Sequence, residues 1–359
     1  MTERKRNVME PLPNKNLTTS TPPVRIGIVG CGGITREAHL PSILATPGLK
    51  VTCLCDAKLR NATLTNAEFR LGAAVVSTPG ELAGLVDAAV VAVPPRFHAP
   101  VTIDLLKHRI GVLCEKPLAT SVADGRQMLE AADSAGLVLA VGFQQRFHPN
   151  NQLLRDVLAS DWLGEIQEVN AEFGGVLDGF LGAPTYVSRA MTGGGVLFDM
   201  GIHLVDRVTW LFGELREITL EDDSYGGIET NANLGGQLTI HGKCVPCSMA
   251  FSWTHRLSNR IFVRGSKAAI EVRIAEPTLA RLRCDLAGHQ RTLVLEAEEV
   301  PANFTAHTAQ MQDFAAAVRE RRPPLVSGQS TLRSLEVIEQ AYRVRRRLSQ
   351  PWVETWNRA

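Results

Sequence analysis

The sequence predicts a mixed α/β protein of two domains, and three observations carry that prediction. At 359 residues the chain is long for one hydrophobic core. Between Val24 and Phe143, short near-continuous apolar runs alternate with helix-like segments, the pattern of a parallel sheet covered on both faces. Beyond about Phe147 single apolar positions alternate with polar ones along runs separated by glycines and turns, which predicts an antiparallel sheet with one polar face.

The elements follow in order. Residues 1–22 are polar and Pro-rich and are expected to form a disordered tail. VRIGIVG is the first strand, and CGGITREAHLPSILA a loop opening a helix. VTCLCD (51–56), AAVVAVPP (88–95), GVLCEKP (111–117) and LVLAVGF (137–143) are further strands. HAPVTIDLLKH and VADGRQMLEAADSAG are helices between them. NNQLLRDVLAS is a helix and EIQEVNAEFGG a half-exposed strand, followed by a helix over 193–213. The runs LGGQLTIHG, SMAFSWTH, NRIFVRG, AAIEVRI and RTLVLEAEE supply the second sheet. Two helices, about 305–320 and 330–348, flank Arg322-Pro323-Pro324. The expected divisions are 1–22, a first domain over 23–147, a second over 148–325, and a C-terminal helix over 326–359 that packs back on the body.

Composition excludes some functions. Lys plus Arg number 38 against 37 Asp plus Glu, so no excess charge draws the chain to nucleic acid or an anionic membrane. No apolar run reaches the roughly 18 residues of a membrane span, and the N-terminus has no apolar signal core, so a cytoplasmic location is expected. Seven cysteines are scattered and read as free thiols. Cys244 and Cys247 form one CxxC without a second pair, weak support for zinc or redox chemistry, and no metal is expected.

The motif VGCGGIT follows the first strand. Gly30 suits a tight turn, Gly32 lets backbone approach a pyrophosphate, and the next helix offers its free N–H groups to phosphate. Thr35 stands where the fingerprint has its third glycine. Asp56 ends the next strand 26 residues after Gly30, near the spacing for a carboxylate that binds ribose hydroxyls. A carboxylate there favours NAD, while Lys58 and Arg60 leave NADP open. In GGGVLFDMGIHLVD (193–206), Asp199, His203 and Asp206 fall at i, i+4 and i+7 on one helical face. Three readings of that face stand: a capped surface helix, a metal site for which Asp-x3-His supplies only two ligands, and an acid/base pair at a cleft.

Taken together, VGCGGI with HLP, CEKPL, GFQQRFHP and GGGVLFDMGIHLVD, in that order, make the chain from about Val24 to Glu354 resemble the Gfo/Idh/MocA oxidoreductases. The resemblance implies an N-terminal Rossmann doubly wound parallel sheet and a C-terminal α/β domain with a large open, mostly antiparallel sheet that packs subunits into a homodimer or homotetramer. It implies a catalytic triad of Lys116, Asp199 and His203 and a cis Lys116–Pro117 bond that aims the lysine at the site. Cofactor-facing positions would be Gly30, Gly32, Gly33, Ile34, Asp56, Pro94, His98, Glu115 and Lys116, with NAD as cofactor and NADP not excluded. Substrate would meet Lys116, Arg146, His148, Tyr186, Asp199 and His203, with Arg189, Trp253, His255 and Arg256 as further candidates. Asp206 matches a position that is more often structural. The three glycines at 193–195 would let backbone approach substrate.

The function implied is oxidation or reduction of a secondary alcohol of a sugar, amino sugar or cyclitol. His203 would move the hydroxyl proton and Lys116 stabilise the developing alkoxide. Two alternatives of other classes are a glycoside-cleaving or eliminating enzyme using transient NAD oxidation, and a non-catalytic dinucleotide-binding regulator.

Overall fold

Strand β1 (Val24–Val29) lies at the centre of a six-stranded sheet. The others are β2 (Leu49–Cys55), β3 (Ala74–Val76), β4 (Ala88–Val91), β5 (Gly111–Cys114) and β6 (Leu139–Val141), in the order β3-β2-β1-β4-β5-β6. Every neighbouring pair is parallel. The order reverses between β1 and β4, so their carboxyl ends open a crevice, the place where sheets of this topology bind ligands. Strands β4, β5 and β6 are buried along their whole length because helices cover both faces, hence their unbroken apolar sequences. The helices are α1 (Leu40–Leu44), α2 (Leu59–Phe69), α3 (His98–Lys107) and α4 (Val122–Ala135). Strand β3 lies outside the expected set: three residues, one exposed and two half-exposed, carry too little pattern to be seen.

This computed structural model describes residues 22–176, 187–224, 227–286, 288–298, 300–301 and 304–348. The expected tail, apart from Pro22, and the expected substrate residue Tyr186 lie outside the described residues.

The second sheet has nine strands in the order β14-β13-β12-β11-β7-β10-β9-β8-β15. Their ranges are β7 (Ile166–Gly174), β8 (Leu215–Asp222), β9 (Asn231–Ile240), β10 (Lys243–Ser252), β11 (Arg260–Gly265), β12 (Ala268–Arg273), β13 (Leu279–Leu286), β14 (His289–Glu296) and β15 (Arg346–Arg347). Pairing is antiparallel except for β7 with β10 and β8 with β15. Along β10 the alternation is visible in the burial: Val245, Cys247 and Met249 are buried while Cys244, Pro246 and Ser248 are exposed. Cys244 and Cys247 thus point to opposite faces, and among the described residues no group of three or more His, Cys, Asp or Glu could hold a metal ion. The inner face packs on α5 (Asn150–Ala159) and α7 (Ile202–Phe212), with the short α6 (Arg189–Thr192) between them in the chain. The outer face is a shallow trough of about 870 Å³ lined by Asn170, Thr219, Ser248, Arg260 and Phe262 among others.

Two long helices follow β14, α8 (Ala306–Glu320) and α9 (Gly328–Val344). The sequence assigns α8 to the second domain, but its Met311 and Phe314 pack with Val24, Ile26, Ile28 and Leu113 of the first. Its apolar stripe is complementary to the Rossmann face, and chain order did not reveal that. Among the described residues, no helix is long and apolar enough to cross a membrane.

Candidate active site

The glycine turn after β1 is built as its sequence requires. Gly30 has φ +98°, and a Cβ there would strike the Ala92 carbonyl. Thr35, at the third fingerprint position, is buried and donates its hydroxyl to the Gly30 carbonyl at 2.6 Å, so the side chain ties the turn a glycine would merely permit. Gly32, Gly33 and Ile34 are exposed at the crevice, and a Cβ on Gly32 would meet no atom within 4 Å. Asp56 accepts the Cys31 N–H at 2.9 Å on one oxygen and the Lys58 N–H at 2.8 Å on the other. The carboxylate therefore stands beside the turn, where the sequence put it. An open glycine edge, a helix N-terminus and an adjacent carboxylate are a donor and acceptor set that fits a dinucleotide.

Four other expected positions cluster where β4 and β5 end. Pro94 precedes a short helical turn over Pro95–Phe97. The Lys116–Pro117 peptide is cis. His98 is buried, with Nδ1 2.7 Å from the Pro117 carbonyl and Nε2 2.9 Å from the Val93 carbonyl. Burial lowers the His98 imidazole and keeps it neutral, so its one N–H donates to one of these two carbonyls and ties the lysine turn to its neighbour. Glu115 is likewise engaged within the protein. Its carboxylate is buried, paired with His39 Nε2 at 2.8 Å and accepting the Lys116 N–H at 3.0 Å.

From this turn Lys116 extends its ammonium to the second domain. Nζ donates to Asp199 Oδ1 at 2.8 Å and to the Asp199 carbonyl at 3.0 Å. Asp199 sits in a π-helical turn, Leu197–Gly201, that runs into α7. Such a turn alters the facing of the residues on either side and is frequent at functional sites. Burial raises the Asp199 carboxyl, but Lys116, His203 and a hydrogen bond from Trp253 outweigh it and hold the group below its ordinary value. His203, one turn on, is buried against the Phe143 ring with centroids 5.7 Å apart. Burial, reinforced by the Lys116 charge, pushes its imidazole down to about 3. The site thus holds an ammonium, a carboxylate and a neutral imidazole side by side.

Arg146 is not at the cleft, contrary to the sequence expectation. Its guanidinium makes a buried bidentate pair with Asp206, at 2.7 and 2.6 Å, and donates to Ser330. A helical face predicted to carry Asp199, His203 and Asp206 together is therefore split, the last residue locking the 144–147 turn to α7 and α9. His148 is half-buried, pushed down to about 3 by burial with the charges of Arg207 and His307 adding.

The three glycines serve the protein's own packing rather than substrate. Gly193 takes φ +89°, a Cβ on Gly194 would strike the Tyr342 hydroxyl, and one on Gly195 the Glu229 carbonyl. Glu229 is buried and accepts the Gly195 N–H at 2.8 Å and the Tyr342 hydroxyl at 2.6 Å, so it caps the helix that carries Asp199. Tyr342 stacks on Phe198 and lies under the Arg189 guanidinium, which assigns Arg189 to this clamp. Sequence reasoning missed Glu229, Tyr342, His39 and His307. Of these only His39 stood in a quoted motif, HLP, and nothing local linked it to Glu115.

Known proteins agree with this architecture. D-glucoside 3-dehydrogenase of Escherichia coli K12 is 31% identical over 225 residues, 62% of this chain and 63% of that protein's length. A dTDP-3,4-didehydro-2,6-dideoxy-alpha-D-glucose 3-reductase of Saccharopolyspora spinosa is 26% identical over 339 residues, 90% of this chain and 98% of that protein. The structure of a 3-ketoreductase from Actinomadura kijaniata, solved with NADP and TDP-benzene, superposes with TM-score 0.78 over 92% of this chain and 100% of that one, and its 23% identity speaks for the fold. Residues 24–143 match the oxidoreductase family with an NAD-binding Rossmann fold, and residues 151–271 match the GFO/IDH/MocA C-terminal domain. With both domains matched in order, the chain belongs to the Gfo/Idh/MocA oxidoreductase family.

Proposed function

We propose that this protein is an NAD(P)-dependent oxidoreductase that interconverts a secondary alcohol and a ketone on a sugar, amino sugar or cyclitol, with Lys116, Asp199 and His203 as its catalytic groups. The observation that carries the reading is the Lys116–Asp199 contact beside a buried neutral His203, assembled from two domains at the carboxyl edge of β5. The similarity to a glucoside dehydrogenase and a nucleotide-sugar ketoreductase supports the substrate class.

When bound, the nicotinamide ring supplies the hydride acceptor or donor. The chain's own groups handle the oxygen and its proton. Lys116, held charged beside Asp199, donates a hydrogen bond to the reacting oxygen and stabilises negative charge as it develops. His203, neutral because burial and Lys116 oppose its protonation, has a lone pair to accept the hydroxyl proton and returns it in the reverse direction. Asp199 fixes the lysine rather than taking a proton, since its carboxyl lies below its ordinary range. Asp56 favours NAD, and NADP use remains part of the proposal through Lys58 and Arg60. Pairing of copies through the open sheet face, as dimer or tetramer, also belongs to it.

Product analysis tests the reading. Incubation with dinucleotide and a panel of sugars, amino sugars and inositols should yield one new carbonyl, trapped as a hydrazone, per dinucleotide reduced. Consumption of a glycoside with no net reduction would replace this reading with the transient-oxidation one.

A further inference from the structure

Behind Lys116 lies a buried pair that the reaction does not use. His39 ends the π-helical turn Thr35–His39 and is fully buried. Its Nε2 lies 2.8 Å from one oxygen of Glu115, and the other oxygen accepts the backbone N–H of Lys116 at 3.0 Å. The carboxylate has room only because residue 142 is glycine: a Cβ there would stand 2.9 Å from the Glu115 carboxyl carbon. Glu115 is itself fixed at the end of β5, its N–H donating to the Val91 carbonyl at 2.9 Å. His307, in the first turn of α8, presents an edge to the His39 ring, with centroids 6.2 Å apart. Burial works to raise the Glu115 carboxyl, but the His39 bond and the charges of His39, Lys116 and His307 hold it down at about 2.

We propose that His39 and Glu115 are a positioning pair for Lys116: the carboxylate, oriented by His39, grips the lysine's backbone N–H so that its ammonium is held on Asp199. The inference rests on the reading of Lys116 as a reacting group. The geometry explains why a histidine 76 residues upstream and a glycine on β6's far end meet at one carboxylate. Titratable groups facing Lys116 are Glu115, Asp199 and His203, and those facing Glu115 are His39, His307 and Lys116.

Competitive acylation with trace acetic anhydride, the Lys116 peptide being quantified by mass spectrometry, reports the freedom of that amine without substrate or dinucleotide. Glu115→Gln and His39→Leu should raise Lys116 acylation about 3- to 10-fold, the effect of a shift of half to one pKa unit or an equivalent release from Asp199. His39→Gln, whose amide N–H replaces Nε2–H, should restore the rate to near that of the unaltered protein. If His39→Leu fails to fold, the isosteric Glu115→Gln carries the same test. A folded Glu115→Gln protein acylated at the unaltered rate would overturn the pairing. Because the assay needs no turnover, the oxidoreductase reading and this one fail separately: absence of any reaction with polyols would sink the former while the acylation result still decides the latter.

Discussion

Lys116 touches Asp199 at two atoms, the carboxylate at 2.8 Å and the backbone carbonyl at 3.0 Å, and so joins the end of a parallel strand in one domain to a helix of the other. Removing the lysine separates binding from chemistry. Lys116→Ala is expected to keep dinucleotide affinity within a few-fold while turnover falls by about 10²–10³, the usual loss for one oxyanion-stabilising donor. Steady-state kinetics alongside a fluorescence titration of dinucleotide checks both halves.

His203→Ala should depress turnover by roughly 10²–10⁴-fold through loss of the proton acceptor. A near-normal rate would withdraw that role from His203 and leave Lys116 to act alone.

The same histidine makes stability depend on pH. Its folded-state value, about 3, lies below the ordinary 6.5. The unfolded chain therefore binds a proton first as the solution is acidified. The contribution is complete above about pH 6.5 and is lost as pH falls toward 3. Urea unfolding should show up to about 2 kcal/mol less stability at pH 5 than at pH 7.5 from this group, and His203→Gln should flatten that slope.

The Asp56 carboxylate predicts cofactor choice. Asp56→Ala should weaken NAD by about 10- to 100-fold, the worth of charge-assisted hydrogen bonds, and NADP far less. An unchanged NAD to NADP ratio would remove its role at the ribose.

Arg146 was expected at substrate and is found in a buried pair with Asp206. Arg146→Met removes the ion-pair partner of that buried carboxylate, leaving it the Ser334 hydroxyl and the Arg207 charge, and should cost about 3 kcal/mol in a denaturant titration. The double variant Arg146→Met with Asp206→Leu should recover part of it, because the buried pair is gone while Arg207 loses a neighbouring carboxylate.

What the sequence made legible was local. Gly30 and Asp56 follow from turn and strand-end chemistry, and Lys116 from its place beyond a parallel strand, because each rule acts over a few residues. What it hid was long-range. Nothing near Arg146 announces Asp206, nor does anything near Gly194 announce the Tyr342 hydroxyl from the C-terminal helix. The glycines illustrate this: a triple glycine before a helix reads equally as space for a ligand or for the chain itself, and here Glu229 and Tyr342 fill it. Helix α8 was placed correctly along the chain and wrongly in space, since its stripe reports that a face is buried but not against which domain.

The central claim is that Lys116, Asp199 and His203 carry out a net exchange between alcohol and ketone at a nicotinamide. The most direct measurement is nicotinamide absorbance of the purified protein given NAD or NADP with each polyol in turn, run beside Lys116→Ala. The account predicts that reduced dinucleotide accumulates with one sugar or cyclitol and that the variant loses this signal while still binding dinucleotide. Accumulation undiminished in the variant, or a polyol consumed with no dinucleotide reduced, would contradict it.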